Sequence, residues 1–349
     1  MSQHQCNPVQ EKISCVYTIA VNNNESSSKR NQQSYKVSAT KDLTAKALSD
    51  DVASARATEK LDGTCCLVEV FNGQPWLWAR LDRKPNKQGE RRFAQYKKSL
   101  AKFEESGNGQ QESFVWSSKD FKEVPDNWIP ASRLEIKDGF VVPDSIGHTP
   151  GWVPVDVNAR QHCWHLSAVD LTQGVALVLR EDEDVPEELV IEVQPLSSLC
   201  GQTCELIGTN INGNPYGLGS KKSPLHLFVA HGSLSIQSPD VTDYEAMYEW
   251  FSSKSASAQV EGVVWHCQNK ELHKLHRHHL NLKWPVEVPH LSRRKVKVQL
   301  DLSLCEPGST SPPKGVVNLF ALLVNRNEQK FDNMLELCEA LNPVIGEGS

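Results

Sequence analysis

The dipeptide Asn72-Gly73 stands between two runs rich in β-branched and aromatic residues, Thr64 to Phe71 and Pro75 to Leu81. Asn-Gly in this setting is a strong short-range signal for a β-hairpin, because both residues accept the positive φ angles that a two-residue turn requires. The sequence therefore predicts two antiparallel strands joined at residues 72 and 73.

Similar patterns recur along the chain. Further strands are expected at 15–21, 176–179, 189–193, 205–207, 225–230, 261–267 and 272–276, and helices at 44–53, 91–105 and around 331–338. Thr242 and Glu245 have the spacing of a capping box ahead of Tyr244, Met247 and Phe251, which predicts one more helix. Residues 22–33 are predicted to form an exposed loop, and 125–154 an irregular surface segment. The fold class is predicted to be α+β, with antiparallel sheets flanked by a few helices.

Composition and charge narrow the possible settings. Hydrophobic residues make up 39% of the 349-residue chain, which is typical of a globular protein, and the net charge of −6 argues mildly against a nucleic-acid binder. The sequence has no apolar run long enough to span a membrane and no signal-peptide pattern at its start. Its ten cysteines are scattered, which is typical of reduced thiols. These features predict an intracellular protein, cytoplasmic or nuclear, that is neither secreted nor bound to a membrane.

The segment Thr58-Glu-Lys-Leu-Asp-Gly-Thr64 places a lysine beside a glycine turn, just before a predicted strand. An amine nucleophile must be held rigidly and kept partly unprotonated, which a desolvated pocket with cationic neighbours achieves by lowering the lysine pKa. Gly63 allows the backbone to approach a phosphate-bearing ligand closely. Taken alone, such a segment is more often an ordinary surface Lys-Asp turn.

This segment resembles motif I of the covalent nucleotidyltransferase superfamily of ligases and capping enzymes, which implies that Lys60 becomes adenylylated or guanylylated. The resemblance also implies that Glu59 helps to bind the nucleotide cofactor and that Asp62 orients Lys60 or holds a metal-bound water. The other superfamily motifs follow in the expected order. The resemblance implies that Arg80 contacts the ribose or the nucleic-acid end, Glu205 the ribose hydroxyls, Glu261 a divalent metal, and Lys274 the α-phosphate. Their sequence contexts include Cys204-Glu-Leu-Ile-Gly208, Glu261-Gly-Val-Val264 and Leu272-His-Lys-Leu-His276.

Two positions of the resemblance stay open. Motif V normally reads Lys-x-Lys, but His276 occupies its second position, and Lys283 competes with Lys274 for the motif. Arg277, His278 and His279 follow and could add positive charge to a groove for RNA ends. Superfamily members stack an aromatic side chain on the adenine, and here His226 or Phe228, which share a strand face, could do so.

A narrower resemblance, to the eukaryotic RNA ligase 1 family, rests on Ala57-Thr-Glu-Lys-x-x-Gly-Thr64 and on the tracts Leu77 to Lys87 and Leu206 to Lys222. It implies a nucleotidyltransferase (ATP-grasp-like ligase) fold and an ATP-dependent enzyme that joins RNA 5′-phosphate and 3′-hydroxyl ends in RNA repair, as a monomer. ATP and Mg²⁺ are the implied cofactors, with Mn²⁺ as an alternative. The implied division is a catalytic domain at 1–285 and a short segment with one amphipathic helix at 286–349, without an OB-fold domain.

The sequence also has other interpretations. A catalytically silent RNA- or nucleotide-binding adaptor with the same fold, and a guanylyltransferase of the mRNA-capping type, are the alternative functions. The tract Gly213 to Ser223 is rich in glycine but lacks the residue order of a phosphate-binding loop, although Lys221 and Lys222 could contact RNA phosphates. His162, Cys163 and His165, and the pair Cys200 and Cys204, lack the usual spacing of a structural zinc site.

Overall fold

The structure is a computed structural model that describes residues 8–22, 36–106, 113–137, 139–304 and 319–342. The chain divides into a larger unit, formed by Met1–Val9, Ile13–Leu77 and Val155–Ser349, and a smaller unit, formed by Gln10–Lys12 and Trp78–Pro154. The predicted loop at 22–33 and the last residues of the predicted C-terminal segment lie largely outside the described ranges.

The strands confirm most of the predicted positions. The first are β1 (Ser14–Cys15), β2 (Tyr17–Asn22), β3 (Lys36–Leu43), β4 (Arg56–Lys60), β5 (Thr64–Phe71) and β6 (Gln74–Arg80). The smaller unit contains β7 (Ile129–Pro130), β8 (Ile136–Lys137), β9 (Phe140–Val141) and β10 (Gly151–Pro154). The larger unit continues with β11 (Val169–Asp170), β12 (Val175–Glu181), β13 (Leu189–Pro195), β14 (Thr203–Gly208), β15 (His226–Ala230), β16 (Gly262–His266), β17 (Leu272–His276), β18 (Val296–Val298) and β19 (Lys330–Phe331).

The predicted hairpin is confirmed. Asn72 and Gly73 both have positive φ angles, 51° and 81°, and they join β5 to β6. Both signs match the type I′ turn that Asn-Gly favours, since its twist suits the right-handed twist of the flanking strands.

The described part of the larger unit contains two main sheets and a two-stranded antiparallel sheet of β2 and β3. A small sheet has the order β1-β17-β16-β4, and a large sheet has the order β19-β18-β13-β12-β15-β14-β5-β6, with β11 paired to β12. Most pairings are antiparallel as predicted, but β1 with β17, β12 with β15 and β13 with β18 are parallel. The partners in these pairings are far apart in sequence, so no short-range turn signal reports them.

The helices partly match the prediction. They are α1 (Ala45–Ser49), α2 (Lys87–Ser106), α3 (Cys163–Ser167), α4 (Tyr244–Ser252), α5 (His290–Arg293), α6 (Leu319–Val324) and α7 (Met334–Ala340). Short 3₁₀ helices occupy Val52–Ser54, Ser118–Asp120, Arg160–His162, Leu196–Leu199, Ala256–Ala258, Arg277–Leu280 and Leu302–Leu304.

Helix starts account for the differences from prediction. The cap of α4 is Asp243, whose carboxylate accepts a hydrogen bond from Ala246 N, so the predicted capping box starting at Thr242 is wrong by one residue. Helix α2 begins four residues before the predicted start, because Asn86 Oδ1 accepts hydrogen bonds from Gln88 N and Gly89 N.

Among the described residues, two hydrophobic clusters support the larger unit. One packs β2, α1 and α4 against the small sheet, with Tyr17 and Phe251 among its fully buried side chains. The other joins the large sheet to the C-terminal part of the chain, including Leu291, Leu323 and Leu337. The segment 286–349 therefore contributes to the core of the larger unit, and its described part holds α5, α6 and α7 rather than one helix.

The smaller unit rests on aromatic packing. Phe93 of α2 contacts Phe114 and Trp116, with ring centroids 5.2 and 5.1 Å apart, and Trp116 in turn contacts Phe121. Residues 125–154, predicted to be irregular, contain the short strands β7 to β10. None of the described helices combines the length and apolar character needed to cross a bilayer. The predicted α+β class with several antiparallel sheets is confirmed.

Candidate active site

The Lys60 segment forms a tight turn between β4 and β5. A Cβ atom on Gly63 would lie 2.3 Å from Leu206 O and 2.8 Å from Glu205 Cγ, so any other side chain would have to push β14 away. The close approach lets Gly63 N donate a hydrogen bond of 3.0 Å to Glu205 Oε1. Glycine at this position is therefore required by the contact between the turn and β14.

Three side chains from distant parts of the sequence hold the turn at Asp62. Asp62 N donates to Tyr216 Oη at 2.7 Å, Asn212 Nδ2 donates to Asp62 Oδ1 at 2.9 Å, and Trp284 Nε1 donates to Asp62 Oδ2 at 2.8 Å. All three partners are uncharged, so the negative charge of Asp62 is not neutralised by them. The carboxylate thus orients the turn and still acts on Lys60.

Lys60 forms an ion pair with Glu261. Lys60 Nζ donates to Glu261 Oε2 at 2.6 Å, and the two side chains are 22% and 2% exposed. The sheet creates the pair, because Lys60 lies opposite Gly262 in the β4–β16 register and Glu261 directly precedes β16.

The electrostatics of Lys60 differ from the prediction. Burial lowers its pKa, but the charge of Glu261 and the hydrogen bond to it, followed by the charges of Glu205 and Asp62, outweigh burial and raise the pKa overall. The expectation of cationic neighbours that lower this pKa is therefore wrong for this state of the site. The raised pKa favours the ammonium form of Lys60.

Lys274 lies on the same face of the small sheet as Lys60. Gly262 pairs with both Lys60 and His276, and Val264 pairs with Lys274. Cross-strand partners and alternate residues along a strand share a face, so Lys60, Lys274 and His276 point to the same side. Lys283, the competing motif V candidate, is exposed in the loop after the 3₁₀ helix at Arg277–Leu280.

Arg277 does not face a groove for RNA ends. Its side chain is buried, and its guanidinium donates to Val260 O and Ala258 O, both at 2.8 Å. Burial lowers its pKa. The hypothesis that Arg277 adds positive charge for RNA is therefore wrong, since its donors serve backbone carbonyls instead.

Glu205 is tied to both the turn and β15. Its Oε1 accepts from Gly63 N, and its Oε2 lies 2.9 Å from His231 Nε2. His231 Nδ1 lies 2.9 Å from Thr203 Oγ1, so both ring nitrogens have partners. The position beside the Lys60 turn agrees with the nucleotide contact expected of Glu205.

Two other predicted nucleotide contacts have buried side chains. His226 has no exposed surface; its ring lies 2.7 Å from both Ser167 Oγ and Thr209 O, and Trp164 stacks on it at 5.1 Å. This placement does not fit adenine stacking by His226, nor by Phe228, which is also buried. Glu59 is buried too, and burial raises its pKa to about 8, with smaller effects from Arg294 and Glu181.

Arg80 lies at the end of β6 within the smaller unit. There its Nε donates to Asp82 Oδ1 at 2.6 Å, its Nη1 donates to Gln10 O at 2.8 Å, and its guanidinium lies over the Trp152 ring. These contacts fix the side chain within its own unit. Its predicted contact with a ribose or nucleic-acid end stays a prediction.

The donor set at Lys60 suits a hard divalent cation. Mg²⁺ takes oxygen ligands and is commonly bound through one or two carboxylates. Glu261 supplies a buried carboxylate whose Oε2 is now balanced by the Lys60 ammonium. A divalent cation near Glu261 would balance the carboxylate charge once the Lys60 amine is neutral. The residues present therefore fit the predicted Mg²⁺.

Four residues of the site were missed from the sequence. Asn212, Tyr216, Trp284 and His231 contact the Lys60 turn or Glu205, yet each lies far along the chain from its partner. Both Asn212 and Tyr216 lie in the tract Leu206 to Lys222 that carries the family resemblance, but neither was predicted to contact the Lys60 turn. The lysines of this tract, Lys221 and Lys222, are exposed, whereas Tyr216 is buried under the turn.

Comparison with known proteins shows the family of this chain. The family model described as RNA ligase 1 matches residues 3–339. Proteins named RNA ligase 1 are similar over 330 residues, with 46% identity in Danio rerio, 45% in Rattus norvegicus and 44% in Mus musculus. Each of these matches covers 94% of this chain and 97% of the relative.

Proposed function

Because this chain belongs to the RNA ligase 1 family and is thus an RNA ligase enzyme, we propose that it joins RNA 5′-phosphate and 3′-hydroxyl ends at the expense of ATP, through an AMP group carried on Lys60. We further propose that its fold is that of the covalent nucleotidyltransferases and that its role is RNA repair. The ion pair between Lys60 and the buried Glu261 is the observation that carries the proposal.

In the first step, Lys60 Nζ attacks the α-phosphorus of ATP. A nitrogen–phosphorus bond forms, and the bond to the pyrophosphate oxygen breaks. The amine must first lose a proton, and Glu261 Oε2, 2.6 Å from Nζ, is placed to accept it. Lys274, on the same sheet face, would offset charge on the α-phosphate oxygens.

In the second and third steps the AMP moves to RNA. A 5′-phosphate oxygen attacks the phosphorus of the lysyl-AMP, and the Lys60 nitrogen takes up a proton and departs as the amine. The 3′-hydroxyl then gives up its proton and attacks the 5′-phosphate, releasing AMP and closing the phosphodiester. Each step depends on in-line positioning and on neutralising phosphoryl oxygens. Mg²⁺ held by Glu261 would supply further positive charge at these oxygens.

Asp62 serves as a positioning residue in this scheme. It holds the Lys60 turn through Asn212 and Trp284 and, by its charge, favours the ammonium form of Lys60. Glu205, beside Gly63, would bind the ribose hydroxyls. These roles follow from the contacts around the turn and from the superfamily resemblance together.

The test is transfer of label from ATP to the protein. Incubation with α-labelled ATP and Mg²⁺ should label the wild-type chain through an acid-labile, alkali-stable bond, whereas Lys60→Ala should take no label. Lys254→Ala, at an exposed lysine, is the matched control and should label normally. A well-folded wild type without label would support the adaptor alternative, and label from GTP instead of ATP would support capping chemistry.

A further inference from the structure

Three side chains with metal-binding atoms meet beside the Lys60 turn, and neither superfamily motifs nor sequence spacing predict their meeting. A Cys65 sulfur, a Glu205 carboxylate oxygen and a His231 ring nitrogen all lie within 4.8 Å of one another. In the described part of the chain, these three residues form a group that could hold a metal ion. We propose that Cys65, Glu205 and His231 form a binding site for a thiophilic divalent cation of the zinc class.

The large sheet determines this geometry. Cys65 on β5 lies directly opposite Glu205 on β14, and His231 follows β15, the next strand of the sheet. His231 N donates to Thr203 O at 3.0 Å, which continues the β14–β15 ladder by one residue. The three ligands therefore stand on three neighbouring strands and share one face. Sites on strands are held more precisely than sites on loops.

The distances need only small side-chain rotations. Ligand atoms around tetrahedral zinc lie roughly 3.3–3.7 Å apart, given Zn–N and Zn–O distances of about 2.0–2.1 Å and Zn–S of about 2.3 Å. Glu205 Oε2 and His231 Nε2 are already 2.9 Å apart. With side chains 13% and 19% exposed, the two residues are largely buried yet reachable from solvent, so water could occupy the fourth position.

The surrounding contacts prepare His231 and Glu205 as ligands. When a cation takes the place of the proton between His231 Nε2 and Glu205 Oε2, the remaining ring proton sits on Nδ1 and donates to Thr203 Oγ1, 2.9 Å away. Histidine ligands of metals are commonly oriented by such a second hydrogen bond. Glu205 Oε1 stays fixed by Gly63 N. The Cys65 thiol loses its proton on binding, and the resulting thiolate selects zinc over magnesium.

Occupation of this site has a consequence that rests on the proposed function. Glu205 is also the residue proposed to bind the ribose hydroxyls of ATP. A cation bound to its carboxylate would withdraw that contact, so zinc and ATP should compete. We therefore expect zinc to reduce AMP transfer to Lys60 and a zinc chelator to restore it.

Cobalt tests the site independently of catalysis. The full chain titrated with Co²⁺ at neutral pH should develop a thiolate-to-cobalt charge-transfer band, which Zn²⁺ should abolish by displacement. Cys65→Ser should lose the band and His231→Gln should weaken or lose it, while Cys200→Ser, the matched cysteine control, should keep it. Absence of the band in wild type, or its persistence in Cys65→Ser, overturns the proposal. Circular dichroism of each variant separates ligand loss from unfolding.

Label transfer with and without zinc tests the competition. At a fixed zinc concentration, the loss of AMP label from the wild type should grow as the ATP concentration is lowered. In Cys65→Ser, zinc should not lower the AMP label. Equal inhibition of both proteins would overturn the competition. If the chain binds cobalt through Cys65 but never takes AMP label, the metal site stands and the proposed ligase mechanism is wrong. If the chain takes AMP label but binds no cobalt, the mechanism stands and the metal site is wrong.

Discussion

The charge state of Lys60 is controlled by the carboxylates around it. Glu261 contacts the amine directly, and Glu205 and Asp62 add negative potential, so the ammonium form persists to higher pH than burial alone would allow. Phosphates of a bound nucleotide and a cation at Glu261 would change this balance. In the structure the amine is paired with Glu261.

This control predicts how Lys60 responds to chemical modification. In Glu261→Gln the carboxylate that raises the Lys60 pKa is lost while burial remains, so the pKa should fall and the neutral amine should dominate at lower pH. The rate of modification by an amine-directed reagent, followed on the Lys60 peptide by mass spectrometry across pH, should shift to lower pH. Lys254 in the same samples serves as internal reference. An unshifted profile would contradict the assigned electrostatics.

The buried Glu59 is expected to give the free energy of unfolding an unusual dependence on pH. Burial raises its pKa to about 8, whereas an unfolded glutamate titrates near about 4.3. Between these values the folded chain binds the extra proton, so the free energy of unfolding should fall as pH rises, by up to about 1.4 kcal/mol per pH unit. Denaturant unfolding of Glu59→Gln across this range should show a weaker decline than wild type.

The matched control for Glu59 is Glu249→Gln, at an exposed residue of α4. It should follow the wild-type pH dependence. If Glu59→Gln and Glu249→Gln gave the same curve, Glu59 would have an ordinary pKa in the folded chain.

At the scale of elements, strands and turns were predicted well where the signal is local. β17 was predicted with its observed bounds, and the β5–β6 hairpin follows from Asn72-Gly73. Helix starts were predicted less well, because Thr242 and Asp243 are both good caps and only the backbone geometry selects Asp243.

The α4 cap can be tested by a pair of adjacent substitutions. Asp243→Ala removes the acceptor for Ala246 N and should lower the free energy of unfolding by about 1 kcal/mol. Thr242→Ala, at an exposed residue outside the helix, should change it by less than about 0.5 kcal/mol. Chemical denaturation of both variants measures the difference. A larger loss of stability in Thr242→Ala than in Asp243→Ala would support the capping box predicted from the sequence.

The candidate site was only partly predictable for a related reason. Lys60, Glu205, Glu261 and Lys274 stand in recognisable motifs, and the strands that bear or flank them are paired with one another. Asn212, Tyr216 and Trp284 carry no motif, since their role depends on tertiary hydrogen bonds to Asp62. The predicted stacking of His226 on adenine does not fit the structure. Strand alternation indicates on which sheet face a residue lies, but not which side chain, here Trp164, packs over it.

At the scale of the whole molecule, the C-terminal part of the chain completes the core of the larger unit. Leu323, Met334 and Leu337 are fully buried among residues of the large sheet, and β18 pairs with β13. The described residues after 285 therefore share a core with the large sheet. The helix predicted around 331–338 is observed as α7, but its sequence pattern does not indicate which sheet it packs against.

Two leucines of α7 test this role of the C-terminal part. Leu337→Ala removes a fully buried side chain and should destabilise the larger unit by about 2–5 kcal/mol. Leu335→Ala, on the same helix but 37% exposed, should have a much smaller effect. Thermal or denaturant unfolding compares them. Equal effects would mean that α7 does not pack on the core as described.

The Lys60 turn is fixed by hydrogen bonds with Asn212, Tyr216 and Trp284. This affects when the site can form during synthesis of the protein chain. Trp284 lies 222 positions after the Asp62 carboxylate that it binds. During synthesis on the ribosome, Lys60 is added to the chain long before the residues that fix its position. Under the function proposed above, a nascent or truncated chain would carry Lys60 without the geometry that AMP transfer requires, and would not consume ATP.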